Sequence, residues 1–203
     1  DDDLFLVGTS EVPLAALHAD EILVADELPL RYAGLSSCFR REAGAAGRDT
    51  RGIFRLHQFE KVEMFSFCHP DKSWDEHLHL LALEESIAQK LELTYRVVDI
   101  AVGDLGASAA RKYDIETWLP SQQNFREMTS CSNCTDYQAR RLDARFREEK
   151  GSPQTLHTLN GTAVTSSRTV ISVLEQHQQK DGTVAVPQAL LHYGAPAVID
   201  PRT

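Results

Sequence analysis

The chain reads as an α+β fold built on a mixed sheet. Three observations predict this. Residues 30–39 and 52–67 alternate β-branched and aromatic residues with polar ones, residues 73–93 carry apolar residues at helical spacing, and two strand-like runs follow at 95–106 and 113–120. Two strands joined by a long loop make an antiparallel hairpin, and the order strand, helix, strand, strand suggests the mixed sheet.

In chain order, "LFLVGTSEVPLAALHADEIL" opens with a short apolar run ended by Gly8; residues 12–18 then have helical spacing. Thr9 or Ser10 would cap that helix, and capping alone is enough to account for Thr9-Ser10-Glu11. On the second strand of the hairpin, Arg55, His57, Phe59, Lys61 and Glu63 share one face, because side chains alternate across a strand. Such a face suits a charged ligand with a flat ring. "SWDEHLHLLALEESIAQKLEL" is a packing helix, with Ser73 and Glu76 as a capping box and Leu80, Leu83, Ile87 and Leu91 on its apolar stripe. His77 and His79 are expected on its surface.

"YRVVDIAVGDLG" reads as a buried strand ending in a glycine-rich turn, and "YDIETWLP" as a strand stopped by Pro120. In "YQARRLDARFREE", Leu142, Ala144 and Phe146 alternate with charged residues, which favours a strand, and a solvated helix is the alternative. The run from His157 has a strand-like lead to Asn160, a break at Gly161, and a helix over about 166–178. Arg168 falls in the first turn of that helix, where a cation opposes the positive end of the helix dipole unless an anion is present.

The 203 residues, 42% hydrophobic and 25% charged, suffice to bury one substantial core in the size range of a single domain. No run reaches the roughly eighteen apolar residues of a membrane span, and no secretory signal opens the chain, so a cytoplasmic setting is the default expectation. Cys38, Cys68, Cys131 and Cys134 are expected to be reduced thiols; the lone CxxC at 131–134 lacks a second pair or nearby histidines at ligand spacing. Twenty-one Lys and Arg against 30 Asp and Glu give a net charge of −9, which disfavours broad nonspecific binding to nucleic acid but leaves room for local patches.

The stretch 38–63 is the densest in fixed charge, with five arginines and three glutamates between apolar ends. No GxxxxGK[ST] occurs, and the glycines at 44, 47 and 52 do not follow a strand and open a helix. A phosphate site would therefore rest on arginines, whose planar guanidinium forks pair with phosphate or carboxylate; Arg40, Arg55 and Arg168 offer them. No Ser-His-Asp or Cys-His constellation can be read from the spacing.

These residues carry a resemblance. "FRREAGAAGRDTRGIFRLHQFEKVE" resembles motif 2 of the class II aminoacyl-tRNA synthetases, and "TLNGTAVTSSRTVISVLEQHQQKDGTVAVPQAL" resembles motif 3, both in the seryl version of the family. "GTSE", "GDLG", "YDIE", "REMTSCSN" and "QARR" occur in the family's order, so the similarity spans almost the whole chain. It implies that residues 1–203 are a partial class II catalytic domain, with motif 2 about 38–63 and motif 3 about 157–179. The fold implied is a class II synthetase-like antiparallel sheet flanked by helices, lacking motif 1 and the N-terminal coiled-coil arm.

The activity implied is ATP-dependent conversion of L-serine to seryl-adenylate, then transfer of serine to the 3' end of tRNA(Ser). By the family pattern Arg40 bridges the α-phosphate and the serine carboxylate, Glu42 reads the adenine amino group and Arg55 holds the distal phosphates. Phe59 and Arg168 sandwich the adenine, and Arg168 also reaches a phosphate. Glu127 and Ser130 correspond to the family's Mg2+ and ATP ligands. Thr9, Ser10 and Glu11 fall on the serine-binding side, Thr9 and Glu11 near the ammonium group, with Glu63, Asn160 and Thr162 around the hydroxyl. The tRNA grip and the homodimer contacts are expected from segments upstream of this chain. Two other readings stand beside this one: a paralogue that activates an amino acid for a non-tRNA acceptor such as a carrier protein, and a noncatalytic homologue. The loop containing Gly44, Ala45, Ala46 and Gly47 is expected to be mobile until ATP binds. ATP should then raise its amide-exchange protection, and equal protection with and without ATP would refute this.

Overall fold

The computed structural model describes residues 3–42 and 52–202; the loop residues Gly44, Ala45, Ala46 and Gly47 lie outside them. In chain order the elements are α1 (Glu11–Ala15), β1 (Ile22–Val24), β2 (Leu30–Phe39), β3 (Gln58–Cys68), α2 (Ser73–Lys90), β4 (Tyr95–Asp99), β5 (Arg111–Leu119) and β6 (Asn124–Asn133). They continue as α3 (Tyr137–Leu142), β7 (Arg145–Arg147), β8 (Gln154–Thr155), β9 (His157–Thr165), α4 (Ser166–His177), β10 (Val184–Ala185), α5 (Gln188–Leu191) and β11 (Val198–Ile199).

The main sheet has six strands in the order β2-β3-β9-β6-β5-β4. Every neighbouring pair is antiparallel, so the mixed sheet suggested by element order gives way to the antiparallel sheet flanked by helices. A helix between two strands does not force a parallel crossover when the second strand joins at the far edge. The one parallel pair among the described residues, β1 with β7, belongs to a separate three-stranded sheet.

Each face of the main sheet has its own core. Leu80, Leu81 and Ala88 of α2 and Val173 of α4 pack with Met64, Ile115 and Leu159 on one face. On the other, Phe65 and Phe67 meet Ala15 of α1, Ala139 of α3, Phe146 of the small sheet and Leu156 between β8 and β9. Fully burying an aromatic or aliphatic side chain of this size stabilises the fold by about 1.5–3 kcal/mol.

Several local expectations change. Ser73 and Glu76 form no capping box: the Ser73 hydroxyl donates to the Pro70 carbonyl. Glu76 instead accepts two bonds from Arg31, at 2.8 and 2.7 Å, and one from Ser66. That forked contact holds its carboxyl below the usual range despite burial. His77 is 1% exposed, not on the surface, with Nε2 3.1 Å from the Cys131 carbonyl; Leu83 is the member of the predicted stripe that faces solvent. β4 is one of the sheet's two edge strands and largely exposed, not buried. β3 begins at Gln58, six residues later than its sequence pattern suggests. Residues 137–147 divide between the two readings: a helix as far as Leu142, then the short strand β7.

Gly161 does not break β9. It is the residue that lets β9 lie close to α2, because a Cβ there would meet Glu84 Oε1 at 2.9 Å and Cys131 Cβ at 3.0 Å. Gly161→Ala should therefore lower stability by about 1–3 kcal/mol, the usual cost of overpacking. Glu84→Ala in the same chain should recover part of that loss. Urea unfolding of the single and double variants measures both.

Candidate active site

On the sheet face opposite α2, β3, β9 and β6 form the floor of a solvent-open cleft of about 950 Å³, counting its mouth. Its shape depends on two bulges. On β9, Val164 pairs with Val62 but Thr162 pairs with Glu63, so one residue is extra and Thr162 and Thr165 both turn to the cleft although three apart. On β6, Thr129 pairs with Ile115 and Glu127 with Glu116, so Met128 is extra and Glu127 shares a face with Ser130.

The floor is buried and charged. Lys61 and Glu63 are 6% and 2% exposed and form an ion pair, and the Lys61 ammonium also donates to Thr9 Oγ1 at 2.7 Å. Desolvation raises the Glu63 carboxyl to about 7, Lys61 pulling against it. Thr9 accepts a second bond from the Glu11 N–H at 3.1 Å, while Ser10, at the N-cap position, makes no side-chain cap bond. Glu11 Oε1 accepts from Asn160 Nδ2 at 3.1 Å.

The rim carries the guanidinium groups. Arg40 Nε donates to the Gly8 carbonyl at 3.1 Å, and the group lies over the Phe59 ring, 5.1 Å from its centroid. Arg55 Nε pairs with Glu42 Oε2 at 2.9 Å; Glu42 holds the left-handed backbone conformation, φ +51°, uncommon outside glycine. Arg168 Nη1 donates to the Glu127 carbonyl at 2.9 Å and stands 3.4 Å from its carboxylate. Glu127 thus supplies the anion that a cation in the first turn of α4 requires. Thr165, Ser167 and Arg168 bring that helix start, which has no acidic residue in its first turn, to the cleft wall. The whole arrangement offers an anion several donors and positive charges around an apolar ring.

Thr9, Glu11, Arg40, Glu42, Arg55, Phe59, Glu63, Glu127, Ser130, Asn160, Thr162 and Arg168 all line the cleft. Ser10 does not: its hydroxyl turns to the Gly34 carbonyl at 3.5 Å. His57 is not brought to the cleft either; it precedes β3, and its Nδ1 lies 3.0 Å from the Arg40 carbonyl. Arg168 lies over Phe54 at 5.0 Å and Arg126 over the same ring at 4.3 Å, while Arg40 lies over Phe59. Phe54, Lys61, Thr129 and Thr165 also line the cleft. Alternation with Glu63 points to Lys61. Thr165 depends on a bulge that no periodicity reveals, and Thr129 borders the cleft although its hydroxyl turns to Glu84 on α2. Glu127 and Ser130 supply hard oxygen donors on one face, a set that fits a magnesium ion, which keeps few protein ligands beside phosphate.

Residues 1–177 match the family model of the tRNA synthetase class II core domain (G, H, P, S and T). The chain is 60% identical over 200 residues to a serine–tRNA ligase of Thermobifida fusca, covering 98% of this chain and 47% of that protein. It is 58% identical over 201 residues to one of Rhodococcus opacus, covering 99% of this chain and 48% of that protein. The chain thus spans about half the length of the curated relatives it matches. Among solved structures, seryl-tRNA synthetase from Pyrococcus horikoshii, complexed with ATP, superposes with a TM-score of 0.96 at 53% identity, over 99% of this chain and 45% of that one. Cytoplasmic serine-tRNA ligase from Naegleria fowleri, in complex with AMP, gives 0.92 at 40% identity, over 98% of this chain and 48% of that one.

An acid with a folded-state pKa above its unfolded value holds more protons when folded, so stability falls as pH rises between the two. For Glu63 that window runs from about 4.5 to about 7, with a total loss of at most about 3 kcal/mol. Glu84, also pushed up by burial, adds to the same slope. Urea unfolding at pH 5 and pH 8 should show a smaller difference for Glu63→Gln than for the unaltered protein.

Proposed function

We propose, from the premise that the chain belongs to the class II tRNA synthetase core-domain family, that the protein carrying it activates L-serine with ATP and transfers the seryl group to tRNA(Ser). The observation that carries this reading is the division of the cleft. Buried hydrogen-bonding groups on Glu63, Asn160 and Thr162 form its floor, and the guanidinium groups of Arg40, Arg55 and Arg168 stand at its more exposed rim. Serine, with a small polar side chain and a zwitterionic head, matches the floor; a nucleotide, with a flat ring and a polyphosphate, matches the rim.

Catalysis on this reading is positioning and charge neutralisation. The serine carboxylate attacks the α-phosphorus of ATP and pyrophosphate leaves, so no protein nucleophile is required. Arg40, fixed between the Gly8 carbonyl and the Phe59 ring, lies where carboxylate and α-phosphate would meet and offsets the negative charge that develops there. Arg55 and Arg168 exchange their present partners, Glu42 and Glu127, for phosphate oxygens. Glu42 is then released toward the adenine amino group. Glu127 and Ser130 would hold Mg2+, which when bound supplies further neutralisation of phosphate charge. The ammonium group of serine goes to Glu11 and Thr9.

Glu63 with Asn160 and Thr162 selects the hydroxyl. A buried site built to hydrogen-bond a hydroxyl rejects the analogue lacking it, because its own polar groups would be left unpaired. The remaining half of the relatives' length is where the tRNA grip and the homodimer contacts belong, in a cytoplasmic enzyme. Among the described residues no helix is long and apolar enough to cross a membrane.

Amino-acid-dependent exchange of labelled pyrophosphate into ATP tests the proposal on the full-length protein, with serine, threonine, alanine and glycine compared. Serine-specific exchange is expected. Arg40→Ala should lower it by roughly 10²–10³-fold, the scale of losing a transition-state electrostatic contact, and Glu63→Ala should abolish the preference for serine over alanine. Silence with every amino acid would favour a noncatalytic homologue. Exchange without charging of tRNA(Ser) would favour a carrier-type acceptor.

A further inference from the structure

Glu11 and Asn160 are joined by a third residue, Gln138, which does not itself line the cleft. Gln138, on α3, donates from Nε2 to Glu11 Oε1 at 2.7 Å and accepts at Oε1 from the Thr158 hydroxyl at 2.7 Å. Thr158 is fully buried on β9, two residues before Asn160 and therefore on the same sheet face. The direction of this chain of bonds is determinate. A carboxylate only accepts, so the amide nitrogen of Gln138 faces Glu11 and its oxygen is left for the hydroxyl proton of Thr158. With Asn160 Nδ2 also at Oε1, one oxygen of Glu11 takes two donors. Among the described residues Oε2 takes none, and Glu11 lines the cleft.

We propose that Gln138 is a positioning residue for recognition of the amino group of the substrate: it holds Glu11 so that Oε2 is presented, charged and unpaired, to the substrate ammonium. The inference rests on the reading above that Glu11 receives that ammonium. Glu11 opens a helix of only five residues and is partly exposed, so its own element does little to restrain its side chain. Gln138 ties it to α3, and through Thr158 to the middle of the sheet, so that three separate elements define one carboxylate. A glutamate at position 138 would set a second negative charge against Glu11, and an apolar residue of the same length would leave Oε1 short of one donor. Either change should let the Glu11 side chain turn while leaving Arg40, Phe59 and Arg168 undisturbed, since none of them touches Gln138.

Binding of two probes to the full-length protein separates this from a merely structural role: seryl-sulfamoyl-adenosine, and its counterpart in which hydrogen replaces the amino group. The unaltered protein should prefer the first. Gln138→Met should reduce that preference about tenfold, the scale of one charge-assisted hydrogen bond, with the affinity for the desamino probe unchanged. An equal fall for both probes, or no change in either, would overturn the proposal. If Gln138→Met does not fold, Thr158→Val reads the same quantity, because it removes the hydroxyl that orients the amide. An unchanged preference in that variant also overturns it. Equal binding of both probes by the unaltered protein would refute the role of Glu11 itself, a result distinct from a failure at Gln138 alone.

Discussion

Side chains alternate across a β-strand, and the cleft exists because that alternation is interrupted twice. The extra residues Ala163 on β9 and Met128 on β6 lie in neighbouring strands of the same sheet. Each brings a pair of polar residues three apart, Thr162 with Thr165 and Glu127 with Ser130, onto the open face. Without the bulges, one member of each pair would point into the α2 side, where Met64, Ile115 and Leu159 pack. The rim arginines depend on the same geometry, since Arg168 follows directly from β9 and is held by the backbone and side chain of Glu127.

Charge in the cleft is held in matched pairs. Lys61 with Glu63, Arg55 with Glu42, and Arg168 with Glu127 each set a cation against a carboxylate. Burying an unpaired charge costs several kcal/mol, so such pairing is what permits this density of ionised groups near a protein core. It also means that a polyanionic ligand enters by exchange of partners. On the opposite face the buried carboxyl of Glu84 takes one hydrogen bond from Thr129, and burial pushes its pKa well up. The two faces of β9 are therefore linked electrostatically at Gly161, where only the absence of a side chain lets Glu84 approach.

Much of the fold was legible because local signals and tertiary packing agree. The full length of β2, the existence of α2 and β5, and the start of α4 follow from periodicity and from punctuation by proline and glycine. The failures have physical causes. Ser73 and Glu76 have capping-box spacing, but Glu76 finds a stronger partner in Arg31, forty-five residues earlier in the chain and adjacent in space. His77 looks like a surface residue beside His79 because its acceptor, the Cys131 carbonyl, lies far along the chain on β6. Gly161 looks like a break because sequence shows the missing side chain and not the neighbour that needs the space. The charged run after Tyr137 has a period of two only in its second half, and there it is a strand.

Residue types and their spacing are enough to fix which chemistry is available: arginines without a phosphate-binding glycine loop, a dense run of fixed charges over 38–63, and motif blocks in one order. Those are properties of residue type and spacing, which the chain carries whether or not it is folded. Which of these residues meet is set by folding. Ser10 and His57 turn away from a cleft that their sequence neighbours line, and Gln138, in a different helix, becomes a neighbour of Glu11. The phase of a strand after a bulge, and the partner of a buried carboxylate, are set by contacts between elements far apart in the chain, which no local pattern encodes.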